Sequence, residues 1–81
     1  MPIDRYRLAI AKTAFQNLSA RSQGIIFAVH TSSKEAAAEE LHVSGRTVDQ
    51  HYQRFLLGAG LDEAEAPIYL HALLDSLMIS D

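Results

Sequence analysis

Apolar residues recur along this chain at steps of three and four, the period of helices buried along one side. The first such segment runs from about Asp4 to Gln16, with Tyr6, Ile10, Ala14 and Leu18 marking its apolar side. Ser19 is a good N-cap for a second helix, Ala20 to about His30, whose inward residues are Ile25, Ile26 and Val29. Gly24 weakens that helix and leaves room for a close helix contact. A short third helix ends at Leu41. Its cap is Ser32, which has Glu35 at capping-box spacing, or Ser33. After a four-residue interruption, His42-Val43-Ser44-Gly45, with Ser44 as N-cap, a fourth helix runs to about Ala59, and Gly60 follows as the C′ glycine. Asp62 and Glu65 match a capping box for the last helix, whereas Pro67 fits a start near Ala66; the residues leave both open. Leu70, Leu73, Leu74 and Leu77 then form one apolar stripe.

Composition supports this pattern. Ala and Leu supply 22 of the 39 apolar residues and Ile and Val only nine, a bias toward helix over strand. The expected fold is all-α, about five helices in a single domain spanning residues 1–81. A chain of 81 residues has a barely sufficient core, so a homo-oligomer that shares it is a natural expectation. The absence of cysteine excludes disulfides, thiolate zinc sites and a cysteine nucleophile. No apolar run approaches the ~20 residues that span a bilayer, and Met1 to Arg5 does not open a signal peptide. A soluble, cytoplasmic protein with no membrane contact is expected.

Other chemistry is sparse. His30, His42, His51 and His71 stand 12, 9 and 20 residues apart, so none makes the helical pair a metal site needs. Glu39-Glu40 and Glu63-Ala64-Glu65 lack calcium-loop spacing. No phosphate loop or nucleophile elbow is present. Neither metal nor cofactor is expected, and the chain does not read as an enzyme.

Charge is unevenly spread around the net −3. Residues 1–34 hold Arg5, Arg7, Lys12, Arg21 and Lys34 against Asp4, a balance of +4; residues 35–81 hold Arg46 and Arg54 against nine acids, a balance of −7. Such asymmetry suggests a two-faced molecule; solvated helix faces account for it equally well.

Ser33 to Gly60 carries the main functional signal. A short helix, a tight turn and a longer helix are what a DNA-binding helix-turn-helix requires. Ala36, Ala37 and Ala38 give the small side chains for close approach, and Leu41 and Val43 are placed as apolar plugs of the turn. On the longer helix, Val48, Tyr52, Phe55 and Ala59 define a docked side. The opposite side presents Arg46, Asp49, Gln50, Gln53 and Arg54, with Thr47 near its edge.

These residues resemble the LuxR/GerE-type helix-turn-helix of bacterial transcriptional regulators. The stretch from Ser33 through His51, then Phe55, Ala59 and Gly60, follows that pattern, and Ser44-x-Arg46-Thr47-Val48-x-x-His51 is its most specific part. Leu18-Ser19-Ala20-Arg21 looks like the family's opening, with Ser22 in place of its glutamate. The resemblance covers residues 18–61, between an extra first helix (1–17) and a C-terminal helix (62–81). Region 4 of bacterial sigma factors is similar.

The resemblance implies a recognition helix from Gly45 to Ala59. Thr47 and Gln50 would face base edges, Arg46 and Arg54 would contact guanine or phosphate, and Lys34 would clamp backbone phosphate. Ser44, His51 and Gln53 complete the implied contact set. Read from the residues alone, Arg54 could instead pair with Asp49 on its own helix, His51 could pack against the preceding helix, and Thr47 could be inert. Arg21 in this family anchors helix ends. Three departures stand out: Asp49 replaces a DNA-holding lysine, His42 replaces the turn glycine and needs a left-handed or bridge conformation, and Ala36 replaces a glutamate.

The first expectation is therefore a small bacterial or phage DNA-binding regulator acting as a homodimer, with weak non-specific affinity. The extra first helix and the stripe of Leu70, Leu73, Leu74 and Leu77 would supply its dimer contacts, with the stripe as the interface, although both also fit an intramolecular core. The alternative is a protein-binding adaptor or antagonist with little DNA affinity, engaging RNA polymerase or another regulator's basic surface.

Overall fold

The computed structural model describes the backbone of residues 3–79 and the side chains through Leu77. Met1 and Pro2, which open the stretch read as no signal peptide, and Asp81, counted with the acidic half, lie outside the described residues. The chain is all-α, with helices α1 (Arg5–Gln16), α2 (Ala20–Thr31), α3 (Lys34–Leu41), α4 (Gly45–Ala59) and α5 (Ala66–Ile79). Among the described residues no helix is long and apolar enough to cross a membrane.

Local chemistry sets the helix ends. Asp4 Oδ1 accepts the backbone N–H groups of Tyr6 and Arg7 at 2.9 and 3.3 Å, and Ser19 Oγ accepts that of Ser22 at 3.2 Å. Ser33, rather than Ser32, caps α3: its Oγ accepts from Ala36 at 3.0 Å. The Ser32 hydroxyl instead donates back to the Ala28 carbonyl at 2.7 Å, satisfying the end of α2. His42 ends α3 in the left-handed region (φ 57°, ψ 44°), and Gly60 ends α4 there too (φ 70°, ψ 34°). Asp62 and Glu65 do form reciprocal backbone–side-chain bonds, at 2.8 and 3.3 Å. They brace a turn, while α5 itself begins at Ala66 with Pro67 in its first turn.

Helix α1 packs on α4 and α5, α2 on α3 and α4 with a lighter touch on α5, and α3 on α4. The larger core joins Ala11 and Phe15 of α1, Ile26 of α2, and Tyr52, Phe55, Leu56 and Ala59 of α4 to Ala66, Tyr69, Leu70, Leu73 and Leu74 of α5. Phe15 meets Phe55 edge to face, with ring centroids 6.1 Å apart. A smaller cluster of Ile25, Ala28, Ala37 and Val48 holds α2, α3 and α4 together, with Val29 packing against both.

Four sequence expectations are corrected. The buried side of α1 is Ala11 and Phe15, flanked by Leu8, Ala14 and Leu18, because Phe15 is the residue that reaches Phe55. Tyr6 (76% exposed) and Ile10 face outward. Nothing lies within 4 Å of a side chain built on Gly24, so no close helix contact depends on it. Leu41 is exposed, leaving Val43 to pack at the turn. Leu70, Leu73 and Leu74 are buried within the chain and Leu77 packs against the same core, so the stripe assigned to a dimer contact is consumed internally.

Distant segments are also tied by polar contacts. The Arg7 guanidinium grips Glu65 with both nitrogens, donates to the Gly60 carbonyl at 3.1 Å and lies 5.3 Å from the Tyr69 ring centroid. The Tyr69 hydroxyl accepts the Asp4 N–H at 3.1 Å. These contacts fasten the start of α1 to the α4–α5 connection.

Candidate nucleic-acid interface

The outward side of α4 is the largest arrangement of polar side chains that the sequence singles out. Fifteen residues make a rod about 22 Å long, and its two sides differ sharply. Val48, Tyr52, Phe55, Leu56 and Ala59 are buried, as the periodicity predicts, while Arg46, Asp49, Gln50, Gln53 and Arg54 are exposed. Arg46, Gln50 and Arg54 follow at steps of four and share one line along the helix. None of the three makes a hydrogen bond or ion pair among the described residues. Arg54 therefore does not pair with Asp49. Leu57, 86% exposed, continues the same side toward the helix end.

The other predicted site residues have partners. The Ser44 side chain caps α4, accepting the Thr47 N–H at 3.1 Å and donating to Thr47 Oγ1 at 2.9 Å. Thr47 is thus held at the helix start. His51 turns away from the exposed line: its Nδ1 lies 2.6 Å from Oγ of Ser22, a buried residue of α2. One ring nitrogen of His51 is thus engaged against α2.

Lys34 is also occupied. Its Nζ lies 2.8 Å from Asp49 Oδ1 and 2.9 Å from Glu63 Oε1, and 5.0 Å from the Tyr52 ring centroid. Gln53 Nε2 donates to the same Glu63 oxygen at 3.1 Å. Hydrogen bonds from Lys34 hold Asp49 and Glu63 below the usual carboxylate range, and those two carboxylates raise the Lys34 ammonium in turn. So the acid standing where the resembled family has lysine is neutralised by the lysine expected on phosphate.

The uneven charge takes on a geometric meaning. Two cations of the basic segment, Arg7 and Lys34, pair with acids of the acidic one, Glu65, Asp49 and Glu63. Arg5, Arg21, Arg46 and Arg54 have no ion pair among the described residues, and Arg21 makes none of the anchoring bonds expected of it. The contacts of Glu63 with Lys34 and of Ser22 with His51, and the exposure of Leu57, are what the sequence reading did not anticipate. Only Leu57 carried a signal, since its spacing from Gln50 and Arg54 puts it on the polar side of α4.

Two shallow clefts open on the surface. One, about 370 Å³, lies between α1 and α4, with Tyr6, Ile10, Thr13 and Gly58 among its lining. The other, about 230 Å³, lies between α2 and the α3–α4 turn, bordered by Arg21, Gly24, Leu41 and Val43. Among the described residues no group of three His, Asp or Glu side chains is placed to hold a metal. No family model, no curated protein and no solved structure matches the chain.

Proposed function

We propose that the chain is a DNA-binding transcriptional regulator in which α3, the turn at His42–Ser44 and α4 act as a helix-turn-helix, with α4 entering the major groove. The carrying observation is the line of Arg46, Gln50 and Arg54, exposed and without partners along one side of a helix whose other side is buried. A helix with its side chains is about 10–12 Å across and the major groove is about 12 Å wide, so such a line meets base edges. Arginine reads guanine, and glutamine reads adenine, through paired hydrogen bonds. The reading also rests on the LuxR/GerE-like residues between Ser33 and Gly60.

A homodimer is part of the proposal, because two copies bring two recognition helices to one duplex. With Leu70, Leu73 and Leu74 buried, the large apolar residues exposed among the described residues are Tyr6 and Ile10 of α1, Phe27 of α2, Leu41 of α3, Leu57 of α4 and Ile68 of α5. Tyr6 and Leu57 are the most exposed of them. Selection of bound sequences from a random duplex pool tests the reading. Enrichment of one motif, repeated with two-fold symmetry, supports it; an unenriched pool contradicts it.

Leu57 favours a second reading, the protein-binding adaptor. A large apolar side chain 86% exposed beside Arg54 suits a protein groove better than a phosphate backbone. Under that reading Leu57→Glu abolishes binding to polymerase or a partner regulator, whereas Arg46→Ala does little.

A further inference from the structure

Lys34 opens α3, Asp49 lies one turn into α4, and Glu63 stands in the α4–α5 connection, yet all three side chains converge. The ammonium has three N–H groups. Two are directed at Asp49 and Glu63, at 2.8 and 2.9 Å, and the Tyr52 ring lies alongside. Gln53 holds the second carboxylate in place through its 3.1 Å bond to Glu63. The cluster borders the exposed line of α4, where Asp49 and Gln53 neighbour Arg46 and Gln50. When a helix lies in the major groove its flanks face the two phosphate backbones, so this border is where a phosphate would come.

We propose that Asp49 and Glu63 act as an intramolecular phosphate mimic, an autoinhibitory contact that keeps Lys34 from the duplex until a backbone phosphate displaces them. The inference rests on the DNA-binding reading above. Two anionic oxygens on one ammonium reproduce what a DNA backbone offers, and both carboxylates remain more than half exposed, at 52% and 59%. Ion pairs this open to water are weak, so exchange of partners needs only side-chain rotations and no helix movement. In the closed state Lys34 adds nothing to duplex binding. In the open state it adds one phosphate contact, but two bare carboxylates then oppose the same backbone. Affinity is thereby set low by residues that do not touch a base.

The test is a titration of a labelled random-sequence duplex at two salt concentrations, with circular dichroism confirming that each variant is folded. Asp49→Asn with Glu63→Gln is compared with Glu39→Gln with Glu40→Gln, which removes equal charge from exposed α3 carboxylates that have no ion pair. The first pair of changes is expected to tighten binding about tenfold at low salt and to steepen the salt dependence by about one counter-ion. The control is expected to gain no more than about threefold. Adding Lys34→Gln to the first pair is expected to return affinity to the control. Duplex binding by the unmodified chain with no gain beyond the control, or a gain that survives Lys34→Gln, overturns the mimic and leaves the DNA reading standing. No duplex binding by any variant at low salt overturns both.

Discussion

The Ser22 Oγ and His51 Nδ1 atoms meet at 2.6 Å, joining the first turn of α2 to the middle of α4 across 29 residues of sequence. Ser22 is buried and His51 half-buried, so the bond is partly shielded and its loss leaves the His51 ring nitrogen without its partner. Ser22→Ala is expected to cost about 1 kcal/mol, lowering the melting temperature by about 4–8 °C. A double-mutant cycle with His51→Ala checks it, with a coupling of about 1 kcal/mol expected and additivity contradicting the contact.

Two backbone positions carry avoidable strain or entropy. Gly24 lies inside α2, exposed, with open space where a methyl group would go, so Gly24→Ala is expected to stabilise by up to about 1 kcal/mol. His42 holds a left-handed conformation that costs an L side chain about 1 kcal/mol, so His42→Gly is expected to stabilise too, by about 0.5 kcal/mol after the greater unfolded-state freedom of glycine. Denaturant midpoints at constant slope measure both.

Leu73 of α5 and Leu57 of α4 stand at opposite extremes of burial. Leu73 is fully buried, so Leu73→Ala is expected to destabilise the fold by about 2–5 kcal/mol at any protein concentration. Leu57→Glu changes an exposed position and is expected to leave stability within about 0.5 kcal/mol. Sedimentation equilibrium of the Leu57→Glu chain then reports on self-association without interference from unfolding; loss of a dimer present in the unmodified chain places Leu57 in its interface.

Acid should weaken the fold at identifiable groups. The Arg7 hydrogen bonds hold the Glu65 carboxyl below its ordinary range, and Lys34 does the same for Asp49 and Glu63. A carboxyl whose folded pKa is depressed contributes stability above its unfolded pKa and loses it as pH falls through the folded one. Melting temperature is therefore expected to drop as pH falls below about 4, the ordinary carboxylate range. Glu65→Gln is expected to lower the melting temperature near neutral pH and to flatten the acid limb; an unchanged limb contradicts the assignment.

Helix ends were the most legible feature of the sequence because their causes are local. Ser19, Ser44 and Gly60 each act on backbone groups within a few residues, and each ends or starts a helix where its chemistry requires. Periodicity was a weaker guide on α1. Tyr6 and Ile10 repeat as regularly as Ala11 and Phe15, and it is packing against other helices, including the Phe55 edge contact, that buries the second pair. The leucines of α5 pose the same problem, since spacing shows that a stripe will be covered and not whether the cover is the same chain. At the candidate interface the exposed line was readable from α4 alone. The partners of Lys34 were not, because Glu63 reaches it across 29 residues and Asp49 across 15.

The most direct test of DNA binding through α4 is a duplex titration at about 50 and 150 mM salt, comparing the unmodified chain with Arg46→Ala and Arg54→Ala combined. The proposed role predicts salt-sensitive binding that weakens about tenfold or more in the double variant, with a salt dependence shallower by about two counter-ions. Equal binding by both chains, or no binding by the unmodified chain at the lower salt, would contradict it.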